Sequence, residues 1–534
     1  MLSARLLLEV SDTEKNIIFV SYMYKMQDTS HRTRRIAKNT LMLYVRMLFM
    51  MFLGLYTSRI VLQALGESDY GVYNVVGGVV AMFAMISGAL NSAVSRFITF
   101  EMGKGTKTQL NKVYSTAVTI QLILAAVVVA IAEPVGLWFI DNEMTIDPAR
   151  IPAARMVLHF SILAFVINLM SVPQMASITA HEKMSAYAAI GILDGSLRFG
   201  TALLVKKIAG DRLVYYAALM TLTVLIVRVA YGIYCRRNFA ECRYKPVFDR
   251  SLMKEMFSFA GWNFIGVTAG VLRDHGGNIL VNVFSGSVAV NAARGVALQL
   301  SNAVQSFVTN FMTAVNPQIT KSYAAGEKEY MFSLMRKSSR MAYYLLFIIA
   351  LPVLFNIEVL LDIWLDEVPQ MSVGFARLFL ILALSESLSG PLMTGMLATG
   401  KVRNYQILVG GLIMLNFPVS YIFLKLGFGP EVTVIVAIVI SQLCLFARLY
   451  MLKKTIDFPV RQYLARVYVN ILKVTAVAGA VASTLMVIGE GSWIGFVFRV
   501  TVCVLCAGLS VLFIGCSRAE RQEMVQMVLR RIRR

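Results

Sequence analysis

Charged side chains are scarce in this sequence, histidine and cysteine scarcer still, and no stretch matches a phosphate-binding loop. Charged residues fill 15% of the 534 positions, against about 25% in soluble domains. With 57% of residues apolar and a mean hydropathy of +0.67, the chain has more apolar surface than a soluble core can bury. The four histidines and six cysteines have no metal-ligand spacing, so no metal site is expected. Cys503 and Cys506 are spaced C-x-x-C, but inside an apolar run without a partner pair they read as packing residues. The missing Gly-rich Lys-Ser/Thr loop excludes nucleotide hydrolysis by this chain. Strict polar/apolar alternation is also missing, which excludes a membrane β-barrel. The first 38 residues hold no continuous apolar h-region with a small-residue cleavage site, so they do not read as a signal peptide. Met26 is the expected functional start.

What the chain does contain is apolar runs of helix-spanning length, such as IQLILAAVVVAIA within 113–140 and VIVAIVISQLCLF within 433–446. Each is long enough to cross a bilayer as a helix. The expected architecture is an all-α polytopic membrane protein of about fourteen transmembrane helices, including spans near 72–98, 257–283 and 288–320. The net charge of +21 and pI near 9.7 could suggest nucleic acid, but the basic residues cluster in alternate connections. Lys104, Lys107 and Lys112 lie in one, Arg236, Arg237, Arg243, Lys245 and Arg250 in another, and Lys453, Lys454, Arg461 and Arg466 in a later one. The intervening connections, such as LDEVPQ, are acidic or neutral; KKIAGDR is the exception. By the positive-inside rule both termini are cytoplasmic, and the tail RRIRR (530–534) meets anionic headgroups. The outer connections are too short for a sizeable catalytic site, so the protein is not expected to be an enzyme.

The chain also repeats itself. NSAVSRFIT (91–99) aligns with MTAVNPQIT (312–320), and GKG (103–105) follows as AAG (324–326) does. PQMASITAHEKMSAY (173–187) aligns with PLMTGMLATGKVRNY (391–405) at a similar offset. A parallel repeat of six spans plus six implies two lobes with a cleft between them. The expected organisation is a basic N-terminal segment (1–40), an N-lobe (41–240), a C-lobe (251–452), two extra helices (467–515) and a basic tail (516–534). Pro173 and Pro391 fall at matching places and predict kinks in both lobes.

Ionisable residues inside such spans are costly, about 2.5–3.5 kcal/mol for an arginine at a helix centre, and usually face a wet or protein-lined interior. Here they are Arg46, Arg59, Arg96, Asp194, Arg198, Arg228, Arg273, Asp274, His275, Arg294 and Glu386. Arginine predominates, and its fork of donors suits phosphate or carboxylate. Asp194 and Arg198, four apart, could neutralise one another; Arg228 is placed to snorkel, and so are Arg46, Arg59 and Arg96. Arg273 is near mid-span and reads as cleft-facing, with Gly276 and Gly277 loosening the helix beyond it. His275 reads equally well as a packing residue. Glu386 could bind a coupling proton or sodium ion, or pair with an arginine across the cleft; Asp194 and Asp274 are further charge partners.

Residues 55–105, LYTSRIVLQALGESDYGVYNVVGGVVAMFAMISGALNSAVSRFITFEMGKG, resemble the first two helices of bacterial polysaccharide exporters. That group is the O-antigen flippase (Wzx-type) branch of the multidrug/oligosaccharidyl-lipid/polysaccharide (MOP) superfamily. The turn formed by Leu65, Gly66, Tyr70, Gly71 and Tyr73, followed by a long small-residue helix, is its most telling part. The resemblance implies two MATE-like six-helix lobes plus two helices in the bacterial inner membrane. It also implies a flippase that moves undecaprenyl-pyrophosphate-linked oligosaccharide repeat units by alternating access, alongside a polysaccharide polymerase and other glycan-assembly proteins. The family's cationic cavity carries over to Arg46, Arg59, Arg96, Arg198, Arg273 and Arg294, with no resident cofactor. Rival readings on the same fold are a cation-coupled multidrug exporter, against which the arginine excess argues, and a peptidoglycan-precursor flippase. A third is a non-transporting scaffold.

Overall fold

A computed structural model of the chain describes residues 35–522, apart from 67–68, 81–83, 105–106, 143–146, 247–248, 286–287, 366–367, 486–492, positions 370 and 519, and scattered positions within 55–79. The expected start at Met26 and the basic tail at 530–534 lie outside the described residues. The described residues form helices joined by short turns, without strands.

The helices of the first half are α1 (Arg35–Gly66), α2 (Ala84–Lys104), α3 (Lys107–Asn142), α4 (Ile151–Leu169), α5 (Val172–Ala180), α6 (Met184–Val205) and α7 (Arg212–Asn238). The second half opens with two long helices, α8 (Arg250–Ser285) and α9 (Val288–Ala324), followed by α10 (Lys328–Phe355) and the short α11 (Ile357–Trp364). Next come α12 (Ser372–Ser387), α13 (Ser389–Ala398), α14 (Val402–Lys425) and α15 (Val432–Ile456). The last pair is α16 (Val460–Thr484) and α17 (Gly495–Gly515).

Eleven described helices are long and apolar enough to cross a bilayer by length and composition. The three other expected spans, near 72–98, 257–283 and 288–320, are not among them. They fall on α2, α8 and α9, whose Asn, Ser, Gln and Arg side chains lower the apolar average. Yet α8 and α9 have 36 and 37 residues, well over the roughly 20 that span a membrane. Polar composition, not shortness, separates these helices from the other eleven. Large apolar side chains such as Val45, Leu122, Leu204, Ile233 and Leu505 are exposed, far beyond what a water-soluble surface carries.

Both predicted kinks are present. The α4–α5 break lies at Met170–Ser171 with Pro173 in the first turn of α5, where a missing N–H costs nothing. The α12–α13 break lies at Leu388, with Pro391 just inside α13. At the end away from the basic connections, Arg150 holds Asp69 and Asp211 together, at 3.0 Å for Asp211, tying the segment after α1 to the starts of α4 and α7. Each half has an apolar core, and a further one, around Phe97, Tyr114, Met256 and Phe259, joins the first half to α8. The core around Val157, Leu158 and Ile162 belongs to the first half; the largest, around Tyr344, Phe347 and Leu445, belongs to the second and takes in α16 and α17.

Candidate functional site: a polar cleft between the repeated helices

The two repeated segments meet around one cavity of about 340 Å³. Its walls are α2 (Asn91, Ser92, Ser95, Arg96, Thr99) and α5 (Thr179) from the first half, with Tyr187 of α6. Facing them are α9 (Thr313, Asn316, Thr320) and α13 (Thr394) from the second half. Nearly every polar group is an amide or hydroxyl, able both to donate and to accept. The charged one is Arg96. Its guanidinium lies 4.6 Å from the rings of both Phe97 and Phe100 and 5.7 Å from Phe259, and its Nη2 donates to the Ala398 carbonyl at 3.3 Å. The buried Nε meets no acceptor in the structure. A cation held on aromatic faces and not by a carboxylate keeps its charge available to an anion.

A second cavity of about 440 Å³ opens off the first, sharing Thr313, Asn316 and Thr394. At its heart Arg273 donates through Nη1 to Glu386 and through Nε to Asp274 at 2.9 Å. Glu386 is thus the partner of an arginine within its own half, not across the cleft between halves. Arg448 lines the same cavity, 9% exposed, donating to the Tyr405 hydroxyl at 3.1 Å and to Ser389 Oγ at 3.0 Å. Sequence reasoning passed over Arg448 because it falls near a helix end; the available signal was an isolated arginine in the apolar run LCLFARLYML.

The remaining expected residues are dispersed. Arg46 stands behind the cleft wall, 4.6 Å over the Tyr187 ring, in space that exists because residue 191 is glycine. A Cβ there would come within 2.1 Å of Arg46 Nε. Asp194 and Arg198 pair at 2.9 Å along one face of α6. Arg59 and His275 are exposed and Arg228 half-buried. Arg294, 4% exposed, is enclosed in the second half, where it donates to Asn278 at 2.6 Å and Thr433 at 2.8 Å. A Cβ on Gly277 would stand 2.4 Å from Arg294 Nη2. Gly277→Ala is therefore expected to push the guanidinium off these acceptors and cost roughly 1–3 kcal/mol. Thermal unfolding in detergent measures this; an unchanged midpoint would show that Arg294 re-pairs freely.

The basic ends of the two halves are in contact. A Cβ on Gly103 would lie 2.6 Å from the Ala324 Cβ and 2.8 Å from the Lys321 carbonyl oxygen. The repeat alignment pairs Gly103 with Ala324, so α2 and α9 touch at matching positions of the two repeats. Beside this contact, the Glu182 carboxylate, with its side chain 4% exposed, meets Lys321 Nζ at 2.8 Å, Gln318 Nε2 at 3.0 Å and Arg35 Nε at 3.1 Å. Glu182 has φ +57°; its repeat counterpart Gly400 has φ +75°. A left-handed backbone suits glycine, and a glutamate there carries about 1–3 kcal/mol of strain, which points to its carboxylate as the reason for its presence. The alignment already set Glu182 opposite a glycine, and that was the overlooked signal.

Burial acts to raise the Glu182 carboxyl, but Lys321, Gln318 and Arg35 outweigh it and hold it below its usual value. Because the shift is downward, its contribution to the closed contact is complete above the ordinary carboxylate pKa and is lost only as pH falls through the depressed one. Cleft access from the basic face should therefore be flat between about pH 5 and 8. Glu182→Gln should raise it at least about fivefold at neutral pH, for roughly 1 kcal/mol or more lost from the closed form as a buried pair is broken. A cysteine at Ser95, reacted with an impermeant maleimide from that face, reads both. Cys235, Cys242, Cys444, Cys503 and Cys516 are buried, and Cys506→Ser removes the half-buried sixth cysteine from the background.

Among the described residues no group of three or more His, Cys, Asp or Glu converges as a metal site would require. The fold is that of known transporters. It resembles a MATE transporter in its straight conformation, with a TM-score of 0.68 and 13% identity over 79% of this chain and 97% of that one. It also resembles an outward-facing multidrug resistance MATE family transporter of the MOP superfamily, at 0.66 and 12% over 78% and 96%. A third likeness is to a MOP superfamily transporter from Pyrococcus furiosus, at 0.65 and 13% over 78% and 96%. The reversed polarity of that protein's binding pocket suggests a different function for it. Identities this low establish the fold alone. No curated protein matches the chain in sequence. A sequence model for the family described as polysaccharide biosynthesis protein matches residues 36–323, more than half of the chain. The chain therefore belongs to the polysaccharide biosynthesis protein family and is a multi-pass membrane protein with the fold of MATE transporters.

Proposed function

We propose that the protein is a flippase carrying undecaprenyl-pyrophosphate-linked oligosaccharide repeat units from the cytoplasmic to the periplasmic leaflet of a bacterial inner membrane. The carrying observation is the cleft between the repeated helices, lined by amides and hydroxyls with Arg96 as its one charged side chain. Amides and hydroxyls match sugar hydroxyls, and an arginine in no ion pair among the described residues matches a pyrophosphate. Two lobes, 41–240 and 251–452, rock so that the Gly103–Ala324 contact closes and parts, exposing the cleft to each face in turn. The lipid tail stays in the bilayer while the headgroup crosses. Arg96 attracts the anion, Arg46 adds positive potential behind Tyr187, and Arg273 and Arg448 extend the cationic wall into the second cavity. Basic connections on the closed face make that face cytoplasmic.

A cation-coupled multidrug exporter is the second reading. It needs a carboxylate free to bind and release a proton or sodium ion; Glu386 is engaged by Arg273, which speaks against it. A deletion strain scored for surface glycan, and for the leaflet holding lipid-linked repeat units, separates the two. Repeat units trapped on the cytoplasmic side, released by wild type and about tenfold less by Arg96→Gln, are expected. Normal glycan with altered sensitivity to cationic drugs would overturn the proposal in favour of the exporter. Loss of viability on deletion would instead assign the peptidoglycan precursor as cargo.

A further inference from the structure

A third cavity, remote from the transport cleft, lies on the basic face where the last two helices join the second half. It measures about 450 Å³ and is lined by Arg336, Lys337 and Arg340 of α10, Arg466 and Asn470 of α16, and Ser333, Ser517 and Glu520. Four cations thus face one carboxylate, and that carboxylate is committed. Glu520 accepts from Arg340 and from the Ser517 backbone N–H at 2.8 Å, capping the chain segment that follows α17. Arg336, Lys337 and Arg466 remain to confront each other, an arrangement that costs free energy unless an anion enters.

The walls are built rather than accidental. Residues Leu464–Tyr468, which carry Arg466, and Val511–Gly515 are π-helical turns, a widening seen mostly at functional positions. Asn470 is fixed by accepting from the Tyr344 hydroxyl at 2.7 Å, and a Cβ on Gly515 would meet that same tyrosine at 2.8 Å. The Nε of Arg340 is buried without an acceptor. Just beyond, Arg521 stacks 5.0 Å over Phe513 while donating to the carbonyls of Leu512 and Phe513. Phe513 and Leu472 are exposed apolar side chains. A cationic pocket rimmed by outward-facing apolar groups at helix ends is positioned at the height of lipid headgroups.

We propose that this pocket binds a phosphate group, with Arg336, Lys337 and Arg466 as its ligands and the pre-paired Arg340–Glu520 as its floor. The phosphate could be carried by a lipid or by a soluble molecule. The test is native mass spectrometry and thermal shift on the full-length protein in detergent. It is given dioleoyl phosphatidic acid, dioleoyl phosphatidylcholine or inorganic pyrophosphate. The Lys337→Gln/Arg466→Gln variant changes two exposed side chains and should fold; Arg336→Gln is the second variant. Phosphatidic acid retained at least about tenfold more than phosphatidylcholine by wild type, and lost by the variants, assigns the lipid source. Pyrophosphate stabilisation lost in the same variants, without lipid preference, assigns the soluble source and equally supports the site. Equal binding by wild type and variants, or the same loss from Arg461→Gln outside the pocket, overturns it.

Discussion

Arg273→Met is expected to lower stability by about 3 kcal/mol, the lower end for breaking an enclosed ion pair, because Glu386 keeps 30% exposure to the cavity. The loss arises less from the missing attraction than from the carboxylates left behind. Glu386 shares its cavity with Ala383, Ile413, Ala437 and Ile440 and keeps only the more distant Arg448 as a cation, so a charge that has lost its hydrogen-bonded partner is poorly solvated there. Asp274, 38% exposed, can be rehydrated more easily. Adding Glu386→Gln to Arg273→Met should therefore recover more than half of the loss. Glu386→Gln alone should cost less, since Arg273 retains Asp274. The cycle, read by thermal unfolding in detergent, separates pairing from cargo binding. If the double variant folds like wild type yet fails to move lipid-linked repeat units, Arg273 touches the cargo. If it restores transport as well as stability, the arginine serves only to neutralise its neighbours. Equal stability of both single variants would mean that water fills the cavity and the pair counts for little.

Gly103→Leu is expected to hold the basic end open. Even a Cβ at this position comes within 2.6 Å of Ala324 and 2.8 Å of the Lys321 carbonyl, and the obstructing atoms are backbone and a Cβ that cannot rotate aside. Overpacking of roughly 1–3 kcal/mol, felt only in the closed form, displaces the equilibrium about five- to 150-fold toward the open one. Stability of each half should change little, because the clash disappears when the halves part. The expected result is a folded protein whose Ser95→Cys site labels rapidly from the basic face and whose transport is abolished. Ala324→Gly in the same chain should restore part of the activity by returning space on the opposite side of the contact. Slow labelling in Gly103→Leu would show that α2 and α9 slide past the obstruction, and the closure described here would then be wrong.

Most of the fold could be read from the sequence because a bilayer admits few solutions for a long apolar run. The repeat was equally legible: the matched segments of α2, α5, α9 and α13 are the walls of the central cleft. Of the fourteen expected spans, eleven described helices meet the length and apolarity of a lipid-facing span, while α2, α8 and α9, which line polar surfaces, depart from that composition. Of the arginines, Arg96 and Arg273 lie on cavities, while Arg294 is enclosed among Asn278, Thr433 and Phe379 and Arg198 is paired along its own helix. Hydropathy registers that a charge sits in an apolar run, but three residues of helix rotation decide whether it faces a cavity or a neighbour. Glu386 was ambiguous for the same reason, its partner being 113 residues away in sequence.

The touch between Gly103 and Ala324 also bears on how such a chain could arise. If the two halves descend from one ancestral segment that paired with a copy of itself, this is where a single side chain met its own twin. Any enlargement there would have been doubled in the ancestor, restricting the position to glycine or alanine. Fusion into one polypeptide lifts that restriction by half, and the present pair, one glycine and one alanine, is what that freedom permits.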